Sequence, residues 1–253
     1  MQGCIDAKNQ GFTAVGHLTP FLDEPRDRLF FKTHVRRIED AIDSVPRYRE
    51  AVGDEVDLCI EIHRQLTPAE AVVLGKGIEE FHPLFFEDPV RPDNFDAMAF
   101  VADRVDVPIA TGERLLTLEE FGMLLRRDAV QYIRPDVCAA GGITHSKKIA
   151  AVAEANGVQV VPHNPLSPVS TAACIQLAAA IPNFALQEYP IGEHEPPKSE
   201  IIQGTLELDE GFLIVSDTPG IGVELKEDAE RKYPYRPREF SCRLHKDGSV
   251  VDQ

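Results

Sequence analysis

The feature that most restricts the fold of this chain is a set of acidic and imidazole residues that recur at nearly even intervals. Each one stands at the end of a short apolar segment, and the spacing varies only from 23 residues (Glu113 to Asp136) to 27 residues (Asp136 to His163). One parallel βα repeat needs a similar length, since a complete βαβ unit takes about 30 residues or more. The full series is Glu61, Glu87, Glu113, Asp136, His163 and Glu188.

The segments between these residues are typical of alternating strands and helices. Residues 56–63 form an apolar run in which Glu61 and His63 share one face of the strand, because they are two residues apart. Thr67 and Glu70 then predict a helix that begins with a capping box. The remaining predicted elements are a second capping box at 117–120 and strands at 83–89, 107–113, 130–136, 158–163 and 183–188.

This regular alternation predicts an α/β fold in which a parallel sheet closes as a barrel. The carboxyl ends of barrel strands meet at one mouth, where the active sites of such barrels lie. The six polar residues are therefore expected around one cavity. We assign residues 1–190 to the barrel, with a loop at 20–30, and residues 191–253 to a C-terminal hairpin and tail that pack on it.

Length and charge argue against several classes of function. The chain has 253 residues, which suits one large α/β domain, and it contains no apolar run near the roughly 20 residues that a membrane helix needs. The formal net charge of −16, from 42 acidic and 26 basic residues, argues against nucleic acid as a partner. A high-salt cytoplasm and ordinary acidic solubility would each explain that charge. The N-terminus does not resemble a signal peptide, so we expect a cytoplasmic protein with reduced cysteines.

Three carboxylates on successive strand ends suggest a metal site. Glu61, Glu87 and Glu113 would offer the oxygen ligands that Mg²⁺ prefers, and that ion usually keeps some positions for water or substrate. The alternative is that each carboxylate caps a helix or pairs with an arginine such as Arg114. The recurrence of the pattern on three adjacent strands favours the metal site.

Two histidines suggest proton transfer. Asp136 and His163 lie one βα unit apart, and a carboxylate bound to one ring nitrogen would fix the tautomer of His163 and suit it to act as a general base. His63 would reach the same cavity from the opposite side. Two imidazoles on either side of a substrate suit proton removal from one carbon and proton delivery to a leaving group on the next carbon, which is a β-elimination.

Seven short stretches together resemble the barrel domain of the enolase superfamily. Within it they are similar to the mandelate racemase group, and most closely to the galactonate dehydratase type of sugar-acid dehydratase. The resemblance covers roughly residues 8–225. The stretches are IEIHR (60–64), FFEDP (85–89), ATGER (110–114), RPD (134–136), AGGIT (140–144), PHNPLSP (162–168) and LQE (186–188).

The resemblance implies a (β/α)₇β barrel of the enolase superfamily and a Mg²⁺ ion held by Glu61, Glu87 and Glu113. It implies a sugar acid (an aldonate such as galactonate) as the small-molecule substrate and a 2-keto-3-deoxy sugar acid as the product. Such barrels often assemble, so a homo-oligomer is expected.

The resemblance also implies roles for four further residues. His163, oriented by Asp136, would be the base that removes the proton α to the substrate carboxylate. His63 would be the acid that protonates the departing 3-hydroxyl group. Glu188 would be a hydrogen-bonding partner of the substrate carboxylate.

Three departures from the family pattern keep other functions open. Glu61 stands where aspartate is usual, and the stretch 15–18 lacks the lysine of the two-base racemases. We expect the chain to lack the family's first barrel strand and its N-terminal α+β capping domain, which governs specificity together with loops such as 17–33. A racemase, epimerase or cycloisomerase of the same superfamily and a truncated, non-catalytic barrel are the alternatives.

Overall fold

A parallel six-stranded sheet with strand order β1-β2-β3-β4-β5-β6 forms the centre of the protein. The computed structural model describes residues 1–18, 32–237 and 244–250, so the loop predicted at 20–30 lies outside the described residues. The strands are β1 (Ala14–Leu18), β2 (Asp57–Glu61), β3 (Phe85–Glu87), β4 (Ile109–Thr111), β5 (Tyr132–Ile133) and β6 (Gln159–Val160). The helices are α1 (Gln2–Asn9), α2 (His34–Ile42), α3 (Val45–Val52), α4 (Pro68–Ile78), α5 (Phe95–Ala102), α6 (Leu118–Leu125), α7 (Ile143–Ala155) and α8 (Pro168–Ala179).

The junctions between strands and helices form as their sequences predict. The Thr67 side chain accepts a hydrogen bond from the Glu70 amide while the Glu70 carboxylate accepts one from the Thr67 amide, so α4 begins with a capping box. Thr117 and Glu120 form the same box at the start of α6. These two boxes define where the chain leaves the strand ends and turns back along the sheet.

The alternation of side chains along each strand divides the core into two parts. Leu58 and Ile60 of β2 belong to the large cluster that lies between the sheet and its helices, whereas Cys59 belongs to a smaller cluster with Phe85. Glu61 is two residues beyond Cys59 and therefore shares its face. The same alternation along β3 gives Glu87 the face of Phe85. Strand parity thus directs both carboxylates to the inner side of the sheet.

The strand predicted at 183–188 is wrong in extent. The chain there makes one parallel bridge, between Phe184 and Val160, with hydrogen bonds from Val160 N to Asn183 O (2.8 Å) and from Ala185 N to Val160 O (2.9 Å). The next bond of a parallel ladder would need an N–H group at residue 162. That residue is Pro162, which has no backbone donor, so the ladder stops after one bridge.

The C-terminal part contains short antiparallel pairs. β8 (Leu208–Asp209) and β9 (Phe212–Leu213) form the hairpin expected in this region, and its turn contains Gly211 with φ +84°. β7 (Ile202–Gln203) pairs with β10 (Glu224–Leu225), and the short helix α9 (Ala229–Lys232) follows. The domain boundary at residue 190 stays a prediction.

One side of the sheet is open. Within the described residues, β1 pairs with β2 along one edge, and its other edge carries no strand. A cavity of about 880 Å³ lies on this side, with residues 12–18 on one wall and 184–191 on the other, and it reaches inward to Glu87 and Arg134. None of the helices in these parts of the chain has the length and apolar character that crossing a bilayer requires.

Candidate active site

The proposed metal ligands are held at the carboxyl ends of three neighbouring strands. Glu61 and Glu87 are the last residues of β2 and β3, they face each other in the parallel register, and their exposed fractions are only 2% and 3%. Glu113 follows β4 after Gly112, which has φ +142° and lies so close to β5 that a Cβ atom would be 2.9 Å from Arg134 N. Glycine is therefore required to bring Glu113 to this position.

Two arginines neutralise part of the negative charge. Arg134 Nε lies 2.6 Å from Glu87 Oε1, and the same guanidinium forms an ion pair with Glu188. Arg64 Nη1 lies 3.0 Å from Asp88 Oδ2 and also binds Glu113. These contacts connect the ends of β2, β3 and β4 to one another and the end of β5 to Glu188.

His163 and Asp136 form the predicted pair. His163 Nδ1 donates to Asp136 Oδ2 at 3.0 Å, while the other oxygen, Oδ1, accepts from the amides of Cys138 (2.8 Å) and Ala139 (2.9 Å). His163 Nε2 lies 3.2 Å from Glu113 Oε2. Burial by itself would lower the pKa of His163, but the hydrogen bonds with Asp136 and Glu113 outweigh burial and raise that pKa to about 10.

His63 is connected to Glu113 by Arg64. Arg64 Nη2 donates to His63 Nε2 at 2.7 Å, and Arg64 in turn binds Glu113, which also contacts His163. The two histidines are therefore connected through one arginine and one carboxylate. Burial and the positive charge of Arg64 lower the pKa of His63. His63 and Arg64 both have left-handed backbones, with φ +55° and +66°, a conformation in which non-glycine residues are uncommon and which is often found at functional sites.

Burial and charge shift the carboxyl groups in opposite directions. Burial raises the pKa of Glu87 well above its usual value, although Arg134 opposes that shift. Burial and then the charge of Glu113 raise the pKa of Asp88 to about 6. Glu113 is also buried, but its hydrogen bond with His163 and the charge of Arg64 lower its pKa. The shifts agree with a crowded group of acids that compete for a few cations.

The predicted magnesium ligands are close in the fold but do not form a ready metal site. Burial and, less strongly, the charge of Glu113 oppose the shift, but the hydrogen bond and charge of His17 lower the pKa of Glu61. The charge of Glu61 adds to the effect of burial in raising the pKa of Glu87, so the three carboxylates act on one another. In the parts of the chain that the structure describes, however, no three aspartate, glutamate, histidine or cysteine side chains are grouped so that they could hold a metal ion. The magnesium set therefore stays a prediction.

The donor chemistry of these residues nevertheless fits a divalent cation. All three are carboxylates, and Glu61 Oε1 is a buried oxygen with no hydrogen-bond partner among the described residues. Six carboxyl groups here are accompanied by three guanidinium groups, so the site has an excess of acid that a divalent cation would offset. The acids are Glu61, Glu87, Asp88, Glu113, Asp136 and Glu188, and the arginines are Arg64, Arg114 and Arg134.

Glu188 is held at the far end of the site. Its Oε2 atom accepts a hydrogen bond from Asn164 N at 3.0 Å and binds Arg134, and its backbone carbonyl accepts from Asn164 Nδ2 at 3.0 Å. Asn164 is fully buried and also donates to Thr171 Oγ1 at 2.7 Å. The role of Glu188 as a partner of the substrate carboxylate stays a prediction.

Sequence reasoning assigned no role to several polar residues of this site. Arg64 and Arg134 stand in the motifs IEIHR and RPD. The excess of acidic residues in the neighbouring motifs was the signal that these arginines would be needed as ion-pair partners. His17, near the end of β1, binds Glu61, whereas the interpretation of the stretch 15–18 concerned only its missing lysine. Arg114, named as an alternative partner, does bind Glu113, with Nε 3.0 Å from Oε1.

A parallel βα sheet with acids, imidazoles and arginines at the carboxyl ends of its strands defines the active-site domain of a barrel enzyme. The chain belongs to the enolase C-terminal domain-like family, whose model matches residues 23–229. The expected enolase-superfamily barrel is thereby confirmed. Membership of this family agrees with the acids, imidazoles and arginines observed at the carboxyl ends of the strands, since the fold alone would not determine those residues.

Curated relatives and solved structures support the same family. A D-galactonate dehydratase family member from Streptomyces bingchenggensis is 36% identical over 206 residues, which are 81% of this chain and 50% of the relative. The family member RspA from Halomonas elongata is 33% identical over 233 residues, 90% of this chain and 57% of the relative. The resemblance to the galactonate dehydratase type is thus confirmed at the level of the family.

Two crystal structures have the same fold. A mandelate racemase/muconate lactonizing enzyme-like protein from Roseovarius sp. TM1035 has a TM-score of 0.83 at 34% identity, covering 96% of this chain and 60% of that one. An enolase from Agrobacterium radiobacter, solved with Na and L-malate bound, has a TM-score of 0.86 at 30% identity, covering 96% and 64%. The chain therefore spans roughly half to two thirds of the length of these four proteins.

Proposed function

We propose that the chain is the barrel part of a Mg²⁺-dependent sugar-acid dehydratase. The observation that carries the proposal is the continuous set of contacts His63–Arg64–Glu113–His163–Asp136, which connects two imidazoles through one arginine and one carboxylate at the ends of the strands. A β-elimination needs two proton-transferring groups that reach neighbouring carbons of one substrate. The curated relatives named as D-galactonate dehydratase family members favour a sugar acid.

His163 is the proposed base. Because Asp136 accepts the Nδ1 proton, the atom that would remove the α-proton is Nε2. In the structure Glu113 lies 3.2 Å from Nε2, and this contact contributes to the raised pKa of about 10. A neutral, proton-accepting His163 therefore requires that Glu113 move away from Nε2. Turnover is expected only when that carboxylate has another partner.

His63 is the proposed acid. Burial and Arg64 lower its pKa, so a protonated His63 would give up its proton more readily than a free imidazole. In the reaction, C2 of the sugar acid loses a proton to His163 while the C3–O bond breaks and the 3-hydroxyl leaves as water with a proton from His63. The resulting enol tautomerises to a 2-keto-3-deoxy acid, so atoms and charge balance without a redox partner.

Glu61, Glu87 and Glu113 are the residues that would hold Mg²⁺. When bound, the ion supplies positive charge beside the substrate carboxylate, whose α-proton is otherwise very weakly acidic. Arg134 and Glu188 lie together beyond this set and would orient the carboxylate end of the substrate. The solved enolase with bound L-malate, a hydroxy acid, is consistent with a hydroxy acid at this position.

The proposal is tested by incubating the 253-residue chain and a His163→Asn variant with Mg²⁺ and a panel of hexonates and pentonates. The 2-keto-3-deoxy product is measured by its semicarbazone. We expect the variant to lose product formation by at least about 100-fold, as for removal of a general base, while it still binds Mg²⁺. His34→Asn is the matched control, because His34 also has a carboxylate partner, Glu70, but contacts none of the proposed site residues.

Three outcomes would contradict the proposal. An equally active His163→Asn variant would remove the role given to that residue. Solvent deuterium that enters recovered substrate at C2 without dehydration would instead support a racemase or epimerase. A chain that turns over no sugar acid would support the alternative of a truncated, non-catalytic barrel.

A further inference from the structure

The strand β1 is irregular where it passes the proposed metal ligands. Val15 pairs with Leu58 and Leu18 pairs with Ile60, so three steps along β1 match two steps along β2. This is the pattern of a β-bulge, which inserts one extra residue and re-aims a side chain. His17 lies inside the irregular stretch and has φ +55°, a conformation that is uncommon for a non-glycine residue.

The bulge brings the His17 ring to Glu61. His17 Nδ1 binds Glu61 Oε2, although the side chain of His17 is 69% exposed and that of Glu61 only 3%. The other oxygen, Oε1, is buried and has no hydrogen-bond partner among the described residues. Glu61 thus has one oxygen held from the neighbouring strand and one oxygen left without a partner inside the site.

We infer that His17 is a positioning residue that holds Glu61 in the orientation in which its Oε1 atom can bind the cation. The inference rests on the proposed function, because it takes Glu61 as a ligand. A glutamate has one more rotatable bond than an aspartate, so its carboxylate loses more conformational entropy when it is fixed. A partner that fixes one oxygen removes part of that cost in advance, as outer-shell partners of metal ligands do.

The backbone at His17 agrees with this role. A left-handed backbone is unfavourable for a non-glycine residue and persists where the surroundings determine it. The exposed ring buries little apolar surface that would repay this cost. Its contact with a buried carboxylate is the interaction that the bulge makes possible.

The experiment measures cation binding directly. Mn²⁺ is titrated into the full chain and followed by electron paramagnetic resonance of the free ion, with Mg²⁺ as competitor. His17→Gly removes the ring at a residue type that tolerates this φ, and His17→Asn keeps an N–H donor on a residue type that also tolerates it. We expect His17→Gly to weaken Mn²⁺ binding by about 10- to 100-fold, the usual effect of losing an outer-shell partner, and His17→Asn to recover most of it.

A double-mutant cycle with Glu61→Asp isolates the pair. The shorter aspartate cannot reach the same position, so His17→Gly should have little further effect on Mn²⁺ affinity in the Glu61→Asp background. His34→Ala is the matched control and should leave the affinity unchanged, since that exposed histidine pairs with Glu70 outside the site. Thermal unfolding without metal checks that every variant is folded.

The outcomes separate this inference from the proposed function. If the unaltered chain binds Mn²⁺ and His17→Gly binds it equally well, the positioning role is wrong while the metal site stands. If His17→Gly weakens binding and His17→Asn does not recover it, the hydrogen-bond donor is not what matters and the inference also fails. If the unaltered chain does not bind Mn²⁺, both the metal site and the role of His17 are refuted.

Discussion

Replacing Arg134 by methionine should destabilise the chain by about 3–5 kcal/mol at neutral pH, the usual cost of leaving a buried charge without its partner. The arginine is 6% exposed, its Nε atom lies 2.6 Å from Glu87 Oε1, and it also binds Glu188. Methionine replaces the unbranched apolar stem of the arginine but is shorter and has no donor. Glu87, which is 3% exposed, would therefore lose its closest cation.

The loss should depend on pH in a definite direction. Burial already raises the pKa of Glu87, and Arg134 opposes that shift, so the variant should raise the pKa further. A carboxyl group whose folded-state pKa is raised binds its proton more tightly in the native state than in the unfolded state. Its unfavourable contribution therefore grows as the pH rises above the ordinary glutamate value of about 4.3.

Urea unfolding followed by far-UV circular dichroism at pH 5 and pH 8 measures both effects. Arg91→Met is the matched control, because Arg91 is 77% exposed in its ion pair with Asp93 and should lose no more than about 0.5 kcal/mol. Adding Glu87→Gln to the Arg134→Met variant should recover part of the stability at pH 8, since it removes the unpaired charge. A loss below about 1 kcal/mol at pH 8, or a loss that is larger at pH 5, would refute the reasoning.

Three further predictions concern stability. Gly112→Ala should cost at least about 1 kcal/mol more than Gly157→Ala, because a Cβ atom at Gly112 would be 2.9 Å from Arg134 N and one at Gly157 would meet nothing within 4 Å; equal shifts in thermal unfolding would contradict this. Thr117→Ala should cost about 1 kcal/mol through loss of the capping box, and a change below about 0.3 kcal/mol in urea unfolding would argue against it. Hydrogen bonds from the amides of Leu116 and Thr117 lower the pKa of Glu120, so the stability lost in Glu120→Gln should be fully present above pH ~4.3 and should diminish as the pH falls through the lowered pKa.

The elements that the sequence predicted well are those whose signals are local. A capping box needs only residues three apart, and both boxes, at Thr67 and Thr117, form as expected. Pro46 stands in the first turn of α3, where a proline suits a helix, and α2 ends before it at Ile42. The inward direction of Glu61 and Glu87 followed from strand parity alone.

The parts that the sequence did not reveal depend on contacts between distant segments. The strand predicted at 183–188 makes only one bridge, because Pro162 in the neighbouring segment has no backbone donor for the next one. This effect is visible only once the register of the two segments is known. Arg134 binds a residue from β3 and a residue 54 positions further along, and no local pattern selects those partners. The only indication in the sequence of the bulge at His17 is the neighbouring Gly16.

The open side of the sheet has a consequence for the chemistry. Removing a weakly acidic proton beside a carboxylate is helped by a water-excluded surrounding, in which fixed charges act more strongly. The cavity of about 880 Å³ between residues 12–18 and 184–191 leads from outside to Glu87, so water can approach the reacting groups through the flank as well as through the mouth. Whatever fills that flank would set the local dielectric constant, and with it the strength of every ion pair that holds the site.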